Sequence, residues 1–330
     1  MVPFAGYSMP LSYGDVGQVF TEPNNHSFRG TSVTQFLEWL TPSSLAQLKP
    51  YSSTLSVLLN PQGGIIDDTI VTKHSEKAFY VVTNAGRRKE DLAWFAQKLE
   101  EWNAGKSAEE AVEHEVLENW GLLALQGPEA ASYLQSLTPF DLKQLTFGTS
   151  AFVPIEGFNL HVARGGYTGE DGFEISIPPS QTVEVATMLL KPPVQLIGLG
   201  ARDSLRLEAG MCLYGNDLDE TTTPVEAGLS WVIGKDRKVD GGFIGADIIQ
   251  KQLKEGPTRR RVGLVVEGAP ARRVVTSGIP SPTLGKNIAM GYIQSGWHKK
   301  GTEVEVEVRK QRRKAILTPM PFVKPNYWRG

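Results

Sequence analysis

Residues 54–83, TLSVLLNPQGGIIDDTIVTKHSEKAFYVVT, decide how this chain is read. Three apolar, β-branched runs (54–59, 65–71 and 78–83) are separated by two polar stretches. The first, Asn60-Pro61-Gln62-Gly63-Gly64, is a turn by composition, because glycine tolerates positive φ and proline pre-sets its own. The second, KHSEK, is short and polar. The segment therefore predicts three consecutive strands. Asp67 and Asp68 stand inside the middle strand, where aspartate is disfavoured. Side chains alternate across a strand, so Asp68 shares a face with Ile66 and Ile70, and Asp67 one with Ile65, Thr69 and Val71. A carboxylate between two isoleucines is partly desolvated, which raises its pKa or demands a donor. Such groups are enriched at active sites. An edge strand with solvated acids is the plainer alternative, and the residues alone leave both open.

Working outward, Val33, Phe36, Leu37 and Leu40 fall at i, i+3, i+4 and i+7, one face of a helix over 31–40 limited by Pro42. A second helix is expected over 87–102, with Leu92, Phe95, Ala96, Leu99 and Trp102 on one face. Farther on, 122–126 reads as a strand, and Gly127-Pro128 opens a helix through Leu137. Strands at 158–163 and 172–178 flank a glycine-rich connection, and 181–191 and 198–209 look helical. Strands followed by helices, repeated, indicate mixed α/β layers. After about Lys235 glycine, proline and β-branched residues take over. RRVGLVV at 260–266 and the alternating TEVEVEV at 302–308 read as strands. Residues 240–330 are expected to form a small all-β, barrel-like domain.

The connection RGGYTGEDGFEI (164–175) could cradle an anion on its backbone amides. It lacks the lysine and hydroxyl of a P-loop and the spacing of a dinucleotide fingerprint, so a hairpin loop is the simpler reading. Glu174 is another acid inside a strand. Arg202 and Arg206 lie at i, i+4; together they suit a carboxylate ligand, or they pair with Asp203 or Glu208. Cys212, the one cysteine, excludes a disulfide within the chain and reads as a small buried hydrophobe. The five histidines have no ligand spacing, so no metal site is expected. A net charge of −2 gives no global attraction to nucleic acid or anionic membrane. The basic runs 259–261, 272–273 and 309–314 lack the interleaved aromatics of a nucleic-acid module and read as solvated turns, with docking of an acidic protein as the other option. No apolar run approaches the ~20 residues of a membrane helix. The first residues carry neither a basic start nor an arginine-rich amphipathic stretch.

Seven phrases, in order along almost the whole chain, carry a family resemblance: MVPFAGYSMPL (1–11), NPQGGIIDDTIV (60–71), FYVVTNAG (79–86), RGGYTGEDGFEI (164–175), ARDSLRLEAGMCLYGNDLDETTTPVEAGLSW (201–231), VTSGIPSPTLGKNIAMGYI (275–293) and TPMPFVKPNYW (318–328). The set resembles the aminomethyltransferase, or T-protein, family of the glycine cleavage system. The resemblance implies an α/β (α+β) three-domain cloverleaf around a folate pocket. Its first lobe would comprise 1–30 and 115–239, its second 31–114 with Asp68, and its β-barrel-like domain 240–330. It implies that an aminomethyl group on the lipoyl arm of H-protein passes to tetrahydrofolate, giving methylenetetrahydrofolate, ammonia and dihydrolipoyl H-protein. Tetrahydrofolate would be a co-substrate and no metal is implied. Lipoylated H-protein would be the partner, and the mitochondrial matrix the compartment. By the same resemblance Asp68 is the catalytic carboxylate, and Leu55, Tyr80, Asn84, Tyr167, Glu174, Arg202 and Trp231 contact folate. Glu174 would meet the pterin edge and Arg202 the anionic glutamyl tail.

The chain departs from the family pattern twice. After SYGDVGQV (12–19) the family continues through a helix and a strand with a Phe-Asp-Val-Ser-His-Met-like phrase, whereas here VFTEPNNH (19–26) leads directly to SFRG. EGAPARR (267–273) likewise runs straight into VVTSG, where the family has another hairpin. A lost helix and strand remove apolar partners, so a less stable first domain is expected. Two other functions stay open. One is a folate-binding protein of iron–sulfur assembly, which carries a Lys-Gly-Cys-Tyr-like phrase where this chain has GMCLYGNDLDE (210–220). The other is a catalytically impaired folate-binding protein.

Overall fold

A computed structural model of the chain describes residues 2–4, 7–9, 19–21, 24–268, 275–308 and 311–330. The side chains of the opening phrase, and Arg272, Arg273, Arg309 and Lys310 of the basic runs, lie outside the described residues. Strands β1 (Val2–Phe4) and β2 (Tyr7–Met9) pair with each other. Then follow β3 (Val19–Thr21), β4 (Asn24–Arg29), α1 (Val33–Leu40), β5 (Ser52–Leu59), β6 (Ile65–Ser75), β7 (Ala78–Thr83), α2 (Arg88–Asn103) and β8 (Glu113–Val116). The middle of the chain gives β9 (Gly121–Gln126), α3 (Ala130–Gln135), β10 (Thr149–Ile155), β11 (Phe158–Arg164), β12 (Gly172–Ile177), α4 (Thr182–Leu189) and α5 (Leu199–Glu208). The last part gives α6 (Arg237–Asp240), α7 (Ala246–Glu255), β13 (Arg259–Val266), β14 (Ser277–Ser281), β15 (Lys286–Gln294), β16 (Glu303–Val308) and β17 (Gln311–Thr318).

Strands β3 to β12 form one ten-stranded sheet in the order β3-β9-β12-β11-β10-β5-β6-β7-β4-β8. It is two five-stranded halves joined at a narrow seam, where β10 and β5 pair only at Thr149 and Ser52. The sheet curls on itself. Thr21 on the edge strand β3 and Asn24 on β4, near the opposite edge, are three residues apart, so they lie within ~11 Å. Tyr80 on β7 also reaches Ser176 on β12, 2.9 Å between hydroxyls, although five hydrogen-bonded steps separate the two strands in the sheet. Inward-facing side chains of the two halves thus meet across an interior.

Each half packs its outer face against helices. Leu134 of α3 and Leu189 of α4 join Val153, Leu160, Val162, Phe173 and Ile175 in one core. Phe36, Leu37 and Leu40 of α1 and Phe95 of α2 join Phe28, Leu58, Val71, Phe79 and Val81 in another. Helix α1 buries the apolar face its spacing predicts. Helix α2 buries Phe95 with Leu99 and Trp102 as expected, but Ala96 is exposed, and Asp91 and Lys98 join the buried side. Lys98 is tolerated because its ammonium lies 4.5 Å from the centre of the Trp94 ring and bonds Glu101 at 2.8 Å. A third core joins Leu59 and Ile65 of the β5–β6 turn to Leu218, Val232, Phe243, Ala246 and Ile249. That turn is locked by Asn60, whose Oδ1 accepts from the amides of Gln62 and Gly64, each at 2.9 Å. Gly64 is required for the approach, since a Cβ there would sit 1.8 Å from the Glu220 carbonyl oxygen.

The C-terminal region is a five-stranded antiparallel sheet, β14-β15-β13-β17-β16. It begins at Arg259, later than the composition shift indicated, because α6 and α7 occupy the start of the stretch read as all-β. On β16 Val304 and Val306 turn inward and Glu303, Glu305 and Glu307 outward. Glu305 and Glu307 lie opposite Lys314 and Arg312 of β17, with Arg312 3.3 Å from Glu305. That part of the basic run is a charged cross-strand ladder.

Candidate active site

The interior is built from rows of residues lying opposite one another on neighbouring strands. On one wall Leu55, Ile70 and Val82 form a row, and Thr72 and Tyr80 the next. On the facing wall Ala163, Glu174 and Ala124 form one row, and His161, Ser176 and Leu122 another. Residues of all four rows line a common cavity. β6 is flanked on both sides, by β5 and β7. Its residue Asp68 sits opposite Val57, on the same face as Ile70 and the cavity.

Asp68 is half-buried, and its carboxyl is held above the ordinary range by burial, against the opposing pull of Asn84. Asn84 follows β7 directly. Its Nδ2 donates to Asp68 Oδ1 at 2.9 Å and to Asp67 Oδ1 at 2.9 Å, and its backbone N–H donates to Asp67 Oδ2 at 2.8 Å. Asp67 points the other way along the pleat and is fully buried. Its carboxyl is pushed up by burial, then by the neighbouring Asp91 and Asp68.

Tyr80 is buried at the base of the cavity. Its hydroxyl donates to Asn25 Oδ1 at 2.9 Å and contacts Ser176 Oγ, and burial raises its phenol. Tyr167 comes from the loop between β11 and β12. That loop is the hairpin connection, closed by Arg164 Nε on Asp171 Oδ1 at 2.9 Å and by the Gly165 amide on the Gly172 carbonyl. The Tyr167 hydroxyl donates to the Cys212 carbonyl, and the Arg202 guanidinium lies 5.1 Å from the centre of its ring. Glu174 is raised by burial and lowered by Arg202. No protein donor reaches its carboxylate among the described residues, and Arg202 there forms no ion pair. Arg206 behaves differently. It is buried, 2.7 Å from Asp217 and 2.7 Å from Asp203, so the two arginines of α5 part company. Cys212 is buried, and burial pushes its thiol up to about 12, which leaves it an unreactive core residue.

Of the expected residues, Tyr80 and Glu174 line the cavity; Leu55 lies in the row of Ile70, Asp68 is on the same strand face and held by Asn84, and Arg202 sits beside Tyr167 and Glu174. Trp231 stands 63 % exposed in the loop after α5, and no hydrogen bond or ring contact joins it to the others among the described residues. Sequence reading missed Asn25, Ser176, His161 and Asp91. The first three are ordinary strand residues until the sheet curls. Asp91 could have been found only by asking why an acid lies one turn before Phe95 on the buried side of α2.

Chemically, the site offers a cavity lined by apolar side chains and the rings of Tyr80 and His161. It holds one acceptor free for an N–H edge (Glu174), one cation free for an anion (Arg202) and one desolvated carboxylate fixed by an amide (Asp68).

A family model described as the GCVT N-terminal domain matches residues 20–237, and one described as the glycine cleavage T-protein C-terminal barrel domain matches residues 265–324. A probable mitochondrial aminomethyltransferase of Schizosaccharomyces pombe is 48% identical, covering 100% of this chain and 90% of that protein. The mitochondrial aminomethyltransferase of Mus musculus is 46% identical, over 99% and 87%. The crystal structure of glycine cleavage system aminomethyltransferase T from Bartonella henselae superposes with a TM-score of 0.90 at 34% identity, covering 99% of this chain and 95% of that one. The alignment with the S. pombe protein runs over 357 positions against 330 residues here, so that relative carries internal segments this chain lacks.

Proposed function

The chain belongs to the glycine cleavage T-protein family of aminomethyltransferases, and from that activity we propose the work of its residues: Asp68 is the catalytic carboxylate, and the slot around it takes tetrahydrofolate. The donor in this reading is aminomethyl-lipoyl H-protein. The products are methylenetetrahydrofolate, ammonia and dihydrolipoyl H-protein. The relatives are named mitochondrial, which supports placing the reaction in the matrix. They are also named aminomethyltransferases, which favours this reading over a role in iron–sulfur assembly.

The observation that carries the assignment is the unsatisfied pair on the facing wall. A buried carboxylate without a donor is costly unless a ligand supplies one. Glu174 is half-buried, its carboxyl is raised by burial, and no protein donor reaches it among the described residues; the N–H edge of a pterin fits it. Arg202, beside it, meets the anionic glutamyl tail. Tyr80 and Tyr167 bound the slot with rings, and Leu55, Ile70 and Val82 give it the apolar lining usual for such pockets. Trp231, at the surface, would cover the outer part of the ligand. Tetrahydrofolate supplies the nitrogens that accept the one-carbon unit. Asp68 presents a negative charge where cationic character develops during transfer. Because the carboxylate is already desolvated and held by Asn84, it acts without reorganising.

The test is Asp68→Asn against Asp67→Asn. Asp68→Asn keeps size and hydrogen bonding and removes the charge. Turnover, read as ammonia release from aminomethyl-loaded H-protein, should fall by roughly 10²–10³, while calorimetric binding of tetrahydrofolate persists. Wild-type turnover in Asp68→Asn would remove the residue from the mechanism.

A further inference from the structure

Behind Asp68, on the outer side of β6, two more carboxyls face each other. Asp67 of β6 and Asp91 of α2 are both fully buried. Neither oxygen of Asp91 has a hydrogen-bond partner, although the Thr83 hydroxyl and the Asp67 carboxyl are its polar neighbours. The other charged groups near the pair are Asp68 on β6, and Arg87 and Glu90 at the start of α2. Arg87 is engaged elsewhere, donating to the Ile66 carbonyl at 3.1 Å and to Glu220 at 2.6 Å. Two adjacent carboxylates with no cation between them cannot both ionise in a buried site.

We propose that Asp67 and Asp91 share one proton, and that this buried carboxyl pair acts as a positioning device that holds Asn84 against Asp68. The inference rests on the reading of Asp68 as the catalytic carboxylate. The location of the proton follows from the donors. Two N–H groups of Asn84 face Asp67 and none faces Asp91, so the charge rests on Asp67 and the proton on Asp91. An anionic Asp67 fixes which way the Asn84 amide points. Turned over, the amide would place its oxygen against two carboxylates; as it stands, one Nδ2 hydrogen serves Asp67 and the other Asp68. The relay runs from helix α2 through β6 to the end of β7. Burial raises both carboxyls, Asp67 further than Asp91, and a shared proton requires that both be raised; the two Asn84 donors, rather than that order, decide which of them keeps the charge.

Asp91→Leu removes the proton donor and leaves Asp67 as a lone buried acid, which then takes the proton itself. Asn84 loses its anionic anchor and Asp68 loses a fixed donor. Losing a hydrogen bond to the charged form raises a carboxyl pKa, so the acid limb of the kcat–pH profile should move up by about one unit. At a pH within that limb, kcat should fall roughly ten-fold while the KM for tetrahydrofolate stays within about two-fold. Asp91→Asn keeps a donor toward Asp67 and should restore both the limb and kcat to near wild type. A second measurement needs no destabilised variant: the wild-type protein should show an infrared C=O stretch of a protonated carboxyl at neutral pH, and Asp91→Asn should lose it. An unmoved pH limb in folded Asp91→Leu, or an infrared band that survives in Asp91→Asn, overturns the proposal. Wild-type turnover in Asp68→Asn would instead overturn the role of Asp68, while the infrared band would still report the shared proton.

Discussion

At the scale of single residues, the site works by contrast between groups that are satisfied and groups that are not. Tyr80, Tyr167 and Arg206 spend their polar atoms on the protein; Glu174 and Arg202 do not. Arg202→Ala should therefore cost ligand affinity more than chemistry. A lost charge-assisted contact is worth about 1.5–3 kcal/mol, or roughly ten- to hundred-fold, and should appear as a raised folate KM with kcat nearly unchanged. An unchanged KM would return Arg202 to the role of a packing partner for Tyr167. Asp68 makes a prediction about pH. Its carboxyl is raised by burial, and the charged form is the useful one. Activity should thus be full at high pH and fall, as pH is lowered, through a value above the ordinary carboxylate range of about 4. A kcat/KM profile flat down to that range would contradict this.

At the scale of elements, helix α5 ties the sheet to the C-terminal region. Arg206 is buried at its end and bonds Asp203, Asp217, the Met211 carbonyl and Ser277 Oγ of β14. Glu208, two residues on, accepts from Ser281 and Thr283. Arg206→Met would leave Asp217, fully buried, without its cation. Breaking a buried pair from one side costs about 3–5 kcal/mol. Chemical denaturation should show a loss of that order, and a change below about 1 kcal/mol would mean that water or Ser277 replaces the guanidinium. Helix α2 shows why the sequence misled here. Periodicity counts apolar residues, and the buried stripe of α2 contains an acid and a lysine whose partners come from β6 and from tryptophans. The carboxyl beside Asp91, Asp67 of β6, is distant in sequence, whereas Lys98 is served by Trp94 and Glu101 of its own helix, which counting apolar residues does not register.

At the scale of the whole molecule, the end of β3 lies near the start of β4, at the stretch where the sequence is expected to lack a family segment. The aligned S. pombe relative carries additional internal residues. Restoring the relative's segment after Val19 adds apolar partners to the first domain. Net stability is only about 5–15 kcal/mol, so even one such strand is a large fraction of it. The grafted protein should melt at a higher temperature than this chain, measured side by side without ligand. Equal melting temperatures would show that the present pairing of β3 with β9 already satisfies the sheet.

What the sequence determined by itself was local and repetitive. The strands at 54–59, 65–71 and 78–83, the face of α1, the Asn60–Gly64 turn and the placing of Asp67 and Asp68 on opposite faces follow from alternation, propensity and turn chemistry, which act between near neighbours. The seven phrases added the family, and with it an expectation for the site residues, but not their geometry. Only the tertiary structure decided that Tyr80 meets Ser176, that Glu174 and Arg202 are left free, that Arg206 is spent on Asp217, and that Asp91 stands behind Asp67. The reason is physical. Burial and hydrogen-bond partnership are set by residues 11 to 96 positions away in these cases, brought together by the tertiary fold, and a side chain's chemistry depends on which partners that fold supplies.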